Sequence, residues 1–122
     1  MSQMITFTGD IMPSTVIARM KVCGKTHRVT ATLRDDDGTI DVDIQSDCPH
    51  VQDYASKLKN ITVDDVTSYA GSKVEDPEIR ASLSVPCLAP IAVFNAAWME
   101  LGMLSKNRAR EMHDNCVDFS EA

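Results

Sequence analysis

The sequence lacks both a long apolar run and an excess of basic charge. No segment approaches the roughly 18 consecutive apolar residues that a membrane span needs, and residues 1–10 carry no basic stretch followed by an apolar one. Twelve Lys and Arg against 18 Asp and Glu give a net charge of −6, so polyanions such as nucleic acid and anionic membranes are expected to be repelled. These absences predict a cytoplasmic protein that binds neither nucleic acid nor membrane.

The short motifs that mark many enzyme active sites are also missing. The chain contains no Gly-rich phosphate loop, no nucleophile elbow and no zinc-protease motif. It also has no internal repeat, no low-complexity tract and no linker. The sequence leaves enzymatic activity uncertain and favours a non-catalytic role.

What is present is the composition of a folded domain. Apolar residues make up 43% of the chain and charged residues 25%, which is close to the average for globular proteins. A length of 122 residues suits one core and leaves no room for two. We therefore predict a single domain over 1–122, with an N-terminal extension (1–13), a meander (14–46), a helical part (49–115) and a tail (116–122).

Alternation of apolar with other residues predicts three consecutive strands. They cover residues 14–23, 27–33 and 40–44. Gly24 and Lys25 offer a turn between the first two. The pair Asp37-Gly38 predicts a type I′ hairpin turn between the second and third, because both residues tolerate positive φ. The strands are expected to form an antiparallel meander.

Apolar residues spaced three and four apart predict helices after the meander. The predicted ranges are 49–59, 62–70, 77–83, 88–104 and 105–115. Pro49 suits the first helical position, with Asp47 or Cys48 as the cap. The most apolar helix, 88–104, is expected to be central and buried on most sides, with a break near Gly102. The fold class is thus α+β, a three-stranded antiparallel meander packed against a layer of helices.

Three of the four cysteines, Cys23, Cys48 and Cys87, stand beside Gly or Pro in predicted loops. In an up-down-up meander the first turn and the end of the third strand share one edge, which places Cys23 and Cys48 together. Cys48 and Cys87 each stand at a predicted helix start, where unpaired N–H groups and the helix dipole favour a thiolate. In a reducing cytoplasm such thiols indicate metal binding or thiol chemistry rather than disulfides. The alternative, that each cysteine is a small core residue, stays open.

The order of these motifs resembles the NifU/IscU-type iron-sulfur cluster scaffold proteins over about 16–104. Shared features are a Val-Cys-Gly turn in a meander, a cysteine heading the next helix, and a third cysteine opening a long apolar helix. The chain is also similar to uncharacterised small three-cysteine proteins of anaerobic archaea and bacteria. Their pattern appears here as Cys23-Gly24, Ser46-Asp47-Cys48-Pro49 and Cys87-Leu88-Ala89-Pro90.

The scaffold resemblance implies an iron-sulfur cluster or zinc ion held by Cys23, Cys48 and Cys87, with partners among proteins of iron-sulfur or sulfur metabolism. Scaffolds usually carry Asp and His at positions where this chain has Lys25 and Pro86. The fourth ligand is therefore left open. The candidates are Asp47, His50, His27, an exogenous thiol and water.

The leading hypothesis is a non-catalytic metal-binding or iron-sulfur-associated protein. Two alternatives stay open beside it. One is a metal-free sulfur carrier in which a cysteine at a helix start holds a persulfide, as relatives of the scaffold fold do. The other is a plain interaction domain whose cysteines only pack. Fold alone does not decide among them, because one scaffold hosts many functions.

Overall fold

A computed structural model describes residues 13–122 and confirms the α+β class. The strands are β1 (Ser14–Met20), β2 (Lys25–Leu33), β3 (Ile40–Ser46) and β4 (Asn60–Ile61), and the helices are α1 (Pro49–Lys57), α2 (Val63–Thr67), α3 (Ala89–Glu100) and α4 (Lys106–Met112). The predicted N-terminal extension lies outside the described residues apart from Pro13.

Within residues 13–122 the sheet contains four strands rather than the three that the sequence predicted. The order is β1-β2-β3-β4, and every neighbouring pair is antiparallel. The predicted meander is therefore present, extended by β4, which pairs Ile61 with Ile40 and Asn60 with Asp41. Two residues are too few to show alternation, so a strand of this length leaves no periodic signal.

The loop between β2 and β3 is a hairpin connection, but the predicted type I′ turn was wrong. Gly38 has φ +74°, whereas His113 is the only non-glycine residue of 13–122 with positive φ, so Asp37 does not meet the type I′ requirement. The loop is longer than two residues. Its ends are joined by a hydrogen bond in which the Arg34 N–H donates to the Thr39 carbonyl oxygen at 2.8 Å. Asp37 acts instead through its carboxylate, which accepts from the Thr39 hydroxyl at 2.7 Å.

The core lies between one face of the sheet and helices α1 and α3. On β2 the inward positions His27, Val29 and Ala31 are at most 1% exposed, as alternation along a strand dictates. Helix α3 packs on β1 and β2, and α1 packs on β3. The buried residues of α3 are small or medium in size, namely Ala89, Pro90, Ala92, Val93, Ala96 and Ala97.

The expectation that the apolar helix is buried on most sides is confirmed, since all but two of its residues are buried or half-buried. Helix α3 spans Ala89–Glu100, and its residues Ile91 and Trp98 are 42% and 39% exposed. The sheet covers one side of the helix, while on another side Trp98 reaches α2 by donating from Nε1 to the Val66 oxygen at 2.7 Å. The predicted break is confirmed, since Gly102 has φ +77° just beyond the helix end.

The other helices are shorter than predicted. Helix α1 ends at Lys57 and α4 covers Lys106–Met112. Helix α2 has five residues and is fixed by a capping box between Thr62 and Asp65. The predicted helix at 77–83 is a series of turns, in which Arg80 N–H donates to the Asp76 oxygen at 2.9 Å.

Glu100 fixes the direction of α3 along the sheet. Its carboxylate accepts from the Ser14 hydroxyl at 2.9 Å and from the Leu33 N–H at 2.8 Å. Ser14 begins β1 and Leu33 ends β2, so the last turn of α3 lies at that edge of the sheet. The first turn of α3 consequently lies at the opposite edge, where β1 ends and β2 begins.

Candidate functional site

The segment that carries Cys87 lies against the end of β1. Leu88 N–H donates to the sulfur of Met20 at 3.4 Å, and Met20 is the last residue of β1. The next four residues, 21–24, form the turn that contains Cys23. The Cys23 thiol approaches the Met20 carbonyl oxygen at 3.6 Å. Met20 therefore contacts both cysteine-bearing segments.

Cys48 is held at the same edge by contacts between β2 and the end of β3. The Ser46 hydroxyl accepts from the Cys48 N–H at 2.9 Å and shares a hydrogen bond with Nδ1 of His27 at 2.8 Å. The Asp47 carboxylate accepts from the Thr26 N–H at 3.2 Å. Cys48 is the N-cap of α1, and its side chain makes no capping hydrogen bond.

The pKa of Cys87 depends on its burial and on its neighbours. Burial raises the pKa of the Cys87 thiol, the N–H of Ala89 lowers it in part, and the charges of Cys48 and Cys23 raise it further. Coulomb interactions weaken with distance and are screened by salt, so such effects require proximity. The strand topology and the contact between Leu88 and Met20 place the three predicted site residues at one end of the sheet, while their role as metal ligands stays a prediction.

The thiols share this end without meeting at one point. Cys23 is exposed, Cys48 and Cys87 are half-buried, and both are packed against the core. Within residues 13–122 no three or more His, Cys, Asp or Glu side chains are grouped closely enough to hold a metal ion. Cys116, the fourth free cysteine, is exposed in the tail beyond α4.

The loop that leads to Cys87 is organised around Arg80. Its guanidinium pairs with Glu75 and donates to the carbonyl oxygens of Ser84 at 3.0 Å and Val85 at 3.3 Å. The charge of Arg80 also acts on Cys87, whose pKa it lowers by less than burial raises it. The same cation therefore shapes the loop and favours the thiolate form of Cys87.

The candidates for a fourth ligand differ sharply in their surroundings. Asp47 is exposed, and its carboxylate accepts the Thr26 N–H. His50 is exposed. The pKa of nearby Asp53 is lowered mainly by hydrogen bonds from Ser82 and Lys57, and the charge of His50 adds a smaller effect in the same direction. His27 is 1% exposed, and its Nε2 has no hydrogen-bond partner within the described part of the chain.

An apolar groove between α2 and α3 is a second concave feature, and sequence reasoning missed it. Its volume is about 320 Å³, and its walls include Val66, Tyr69, Phe94 and Trp98. Tyr69 and Phe94 make an edge-to-face contact with ring centroids 5.6 Å apart. The signal was the stripe of large apolar residues on α3, which sequence reasoning assigned to the core.

Comparisons with known proteins give one match. The model of a family described as "Family of unknown function (DUF6951)" matches residues 14–112. The match begins at the first residue of β1 and ends at the last residue of α4. No curated protein and no solved structure matches the chain. Within residues 13–122 every helix is too short or too polar to cross a bilayer.

Proposed function

We propose that the chain, which belongs to the DUF6951 family of unknown function, is a non-catalytic metal-binding or iron-sulfur-associated protein. In this proposal the thiolates of Cys23, Cys48 and Cys87 bind a zinc ion or an iron-sulfur cluster. The observation that carries it is the position of the three cysteines at one end of the sheet, with Cys23 in the turn after β1, Cys48 directly before α1, and Cys87 next to Leu88, whose N–H donates to the Met20 sulfur at 3.4 Å. Three thiolates gathered in this way repel one another, and a bound cation removes that repulsion.

The chemistry of the donor set fits a thiophilic metal. Thiolates are preferred by zinc and by iron in iron-sulfur clusters. Cys48 and Cys87 belong to well-packed segments, whereas Cys23 sits in the exposed turn 21–24. Binding therefore requires the Cys23 side chain to turn toward the two half-buried thiols, since no group of three is at ligating distance among residues 13–122.

The arrangement of elements adds support from resemblance. A turn in an antiparallel meander carries Cys23, α1 begins directly after Cys48, and α3 begins two residues after Cys87. The NifU/IscU-type scaffold proteins share this order, and a likeness to their fold is part of the proposal. On the same ground we propose partners among proteins of iron-sulfur or sulfur metabolism.

Elemental analysis of protein purified without oxygen tests the proposal. The wild-type chain is expected to hold zinc or iron, or to take it up on reconstitution with Zn²⁺ or with iron and sulfide. Serine in place of Cys23, Cys48 or Cys87 is expected to lower the metal content, because serine is a poor ligand for these metals. Cys116→Ser is the matched control and should keep the wild-type content, since Cys116 lies in the exposed tail. A wild-type chain that stays free of metal after reconstitution contradicts the proposal.

A sulfur carrier is the alternative that one observation favours. Cys23 is exposed in a turn, where a persulfide could be handed to a partner. The sequence predicted that the helix start would favour a thiolate at Cys87, but burial outweighs the Ala89 N–H and raises the pKa of that thiol, so Cys87 suits this role less well. Mass spectrometry after incubation with a cysteine desulfurase and cysteine separates the two functions. Added sulfur on Cys23 in a metal-free chain supports the carrier, and an unmodified chain that binds metal supports the metal site.

A further inference from the structure

The hairpin formed by β1 and β2 has the opposite charge to the rest of the chain. Residues 14–33 contain four basic side chains and no Asp or Glu, although the whole chain carries a net charge of −6. The four are Arg19, Lys21, Lys25 and Arg28. The hairpin is therefore the part of this acidic protein that can attract an acidic partner.

The cations of the hairpin are not neutralised by neighbouring carboxylates. Within residues 13–122 none of the four forms an ion pair. Cations elsewhere are paired, as Arg34 is with Asp36 at 3.0 Å and Arg80 is with Glu75. Asp47 lies near the hairpin, but its carboxylate accepts the Thr26 N–H. The hairpin charge thus remains available to another molecule.

Part of this charge surrounds an exposed apolar side chain. Val16 and Ala18 pack against the core. Alternation along β1 therefore puts Ile17 and Arg19 on the opposite face of the sheet, and the strand register sets Ile17 directly opposite Arg28. Ile17 is 38% exposed, and both arginines are exposed. Side chains two apart on a strand are about 7 Å apart and opposite ones about 5 Å apart, so these three form one continuous surface.

The turn between the two strands adds a second apolar side chain. Val22 is 81% exposed and stands between Lys21 and Cys23. What we call the hairpin surface consists of Ile17, Arg19, Lys21, Val22 and Arg28. Interfaces between proteins combine apolar contacts with charged ones. Nucleic acid fits this surface less well, because a long polyanion would extend from the hairpin onto the acidic remainder of the chain.

We propose that the hairpin surface docks an acidic segment of a partner protein. Its cations contact carboxylates of the segment, while Ile17 and Val22 contact apolar side chains. Such docking places the partner beside Cys23, which is exposed in the same turn. Docking itself requires no metal, and only the use of Cys23 by the docked partner rests on the function proposed above.

Fluorescence anisotropy with a labelled Glu-rich peptide that has two central leucines tests the docking. The metal-free chain should bind this peptide, bind it more weakly as salt rises, and not bind the same peptide with Gln in place of Glu. Arg19→Glu with Arg28→Glu should weaken binding by about 10-fold or more, because like charges then face each other. Val22→Ala should weaken it by about 4-fold or more through lost apolar contact.

The matched control is Arg108→Glu with Arg110→Glu, which changes the net charge equally at exposed positions on α4 and should bind as the wild type does. Equal weakening in the two double variants, or no binding by the wild type, overturns the docking surface. Tighter binding of single-stranded DNA than of the peptide assigns the surface to nucleic acid instead. Self-association in sedimentation that Arg19→Glu with Arg28→Glu abolishes assigns it to a second copy of the chain. Either result overturns the proposal, and none depends on whether the chain binds zinc.

Discussion

The hydroxyl group of Tyr54 joins α1 to the loop that leads to Cys87, and its removal gives a quantitative test of the packing. Tyr54 is fully buried, and its hydroxyl donates to the Val74 carbonyl oxygen at 2.9 Å. Burial, together with the charges of Glu75 and Cys87, raises the pKa of Tyr54 well above its ordinary value, so the hydroxyl keeps its proton and remains a donor.

Tyr54→Phe leaves the ring in place and removes the partner of a buried carbonyl. Leaving a buried carbonyl without a hydrogen-bond donor lowers the free energy of unfolding by about 1–3 kcal/mol. For a chain of 122 residues a loss of about 2 kcal/mol lowers the melting temperature by about 6–10 °C. The variant should also bind zinc more weakly, because the Val74 contact helps hold the Cys87 loop against the helix that Cys48 caps.

Calorimetry or thermal denaturation followed by circular dichroism measures the shift. Tyr69→Phe is the matched control, since Tyr69 is 71% exposed and the same chemical change there removes no buried hydrogen bond. The control should have the same melting temperature as the wild type. If Tyr54→Phe also melts with the wild type, the hydroxyl does not hold the loop, and the reasoning about this contact is wrong.

Two further predictions concern the cap of α2 and the packing of α3. Burial raises the pKa of Asp65, but backbone hydrogen bonds and the Thr62 hydroxyl outweigh it and lower the pKa overall. The ionised Asp65 carboxylate thus stabilises the folded state fully at pH values above the pKa of Asp in the unfolded chain, about 3.9. This stabilisation is lost as pH falls through the pKa of Asp65 in the folded state. Urea unfolding should show Asp65→Asn less stable than wild type by about 1.5–3 kcal/mol at pH 7, and this difference should shrink in acid. Asp64→Asn should change stability little, because Asp64 is exposed in the turn where Asp65 is buried. A gap that stays constant with pH contradicts the assignment. Ala96 is fully buried where α3 meets the sheet, so Ala96→Leu should lower the free energy of unfolding by about 1–3 kcal/mol in the same assay. The control Ala81→Leu should not lower it, because Ala81 is exposed. Equal stability of the two variants would show that α3 does not pack there.

The sheet was largely predictable because each long strand buries one face. Alternation in 40–44 placed Ile40 and Val42 inside, and the structure buries both. The two residues of β4 gave no such signal, because their pairing depends on Ile40 from a distant part of the sequence. The turn at Asp37-Gly38 was misread for a related reason, since the dipeptide does not reveal how many residues the loop contains.

The sequence did not tell which face of the apolar helix meets the sheet. Two stripes ran along 88–104, one with Ile91 and Trp98 and one with Ala92 and Ala96. The alanine stripe packs against the sheet, because small side chains let the helix approach closely. The larger residues line the groove between α3 and α2. That choice depends on shape complementarity between two surfaces, which periodicity does not encode.

For the candidate site, strand order alone placed Cys23 and Cys48 at one edge, because an antiparallel meander fixes where its turns lie. Cys87 follows a long irregular segment, so its position depends on the contact between Leu88 and Met20 and was not derivable from periodicity. The burial of His27 and its unpaired Nε2 likewise could not be predicted from the sequence, because both require coordinates.

The central claim is that one metal ion draws the three thiols together, and differential alkylation tests it most directly. The reduced chain is treated with iodoacetamide with and without Zn²⁺, and each cysteine is quantified by peptide mass mapping. We predict that zinc slows alkylation of Cys23, Cys48 and Cys87 together, while exposed Cys116 reacts at the same rate in both samples. Alkylation of Cys23 at an unchanged rate in the presence of zinc would contradict the account.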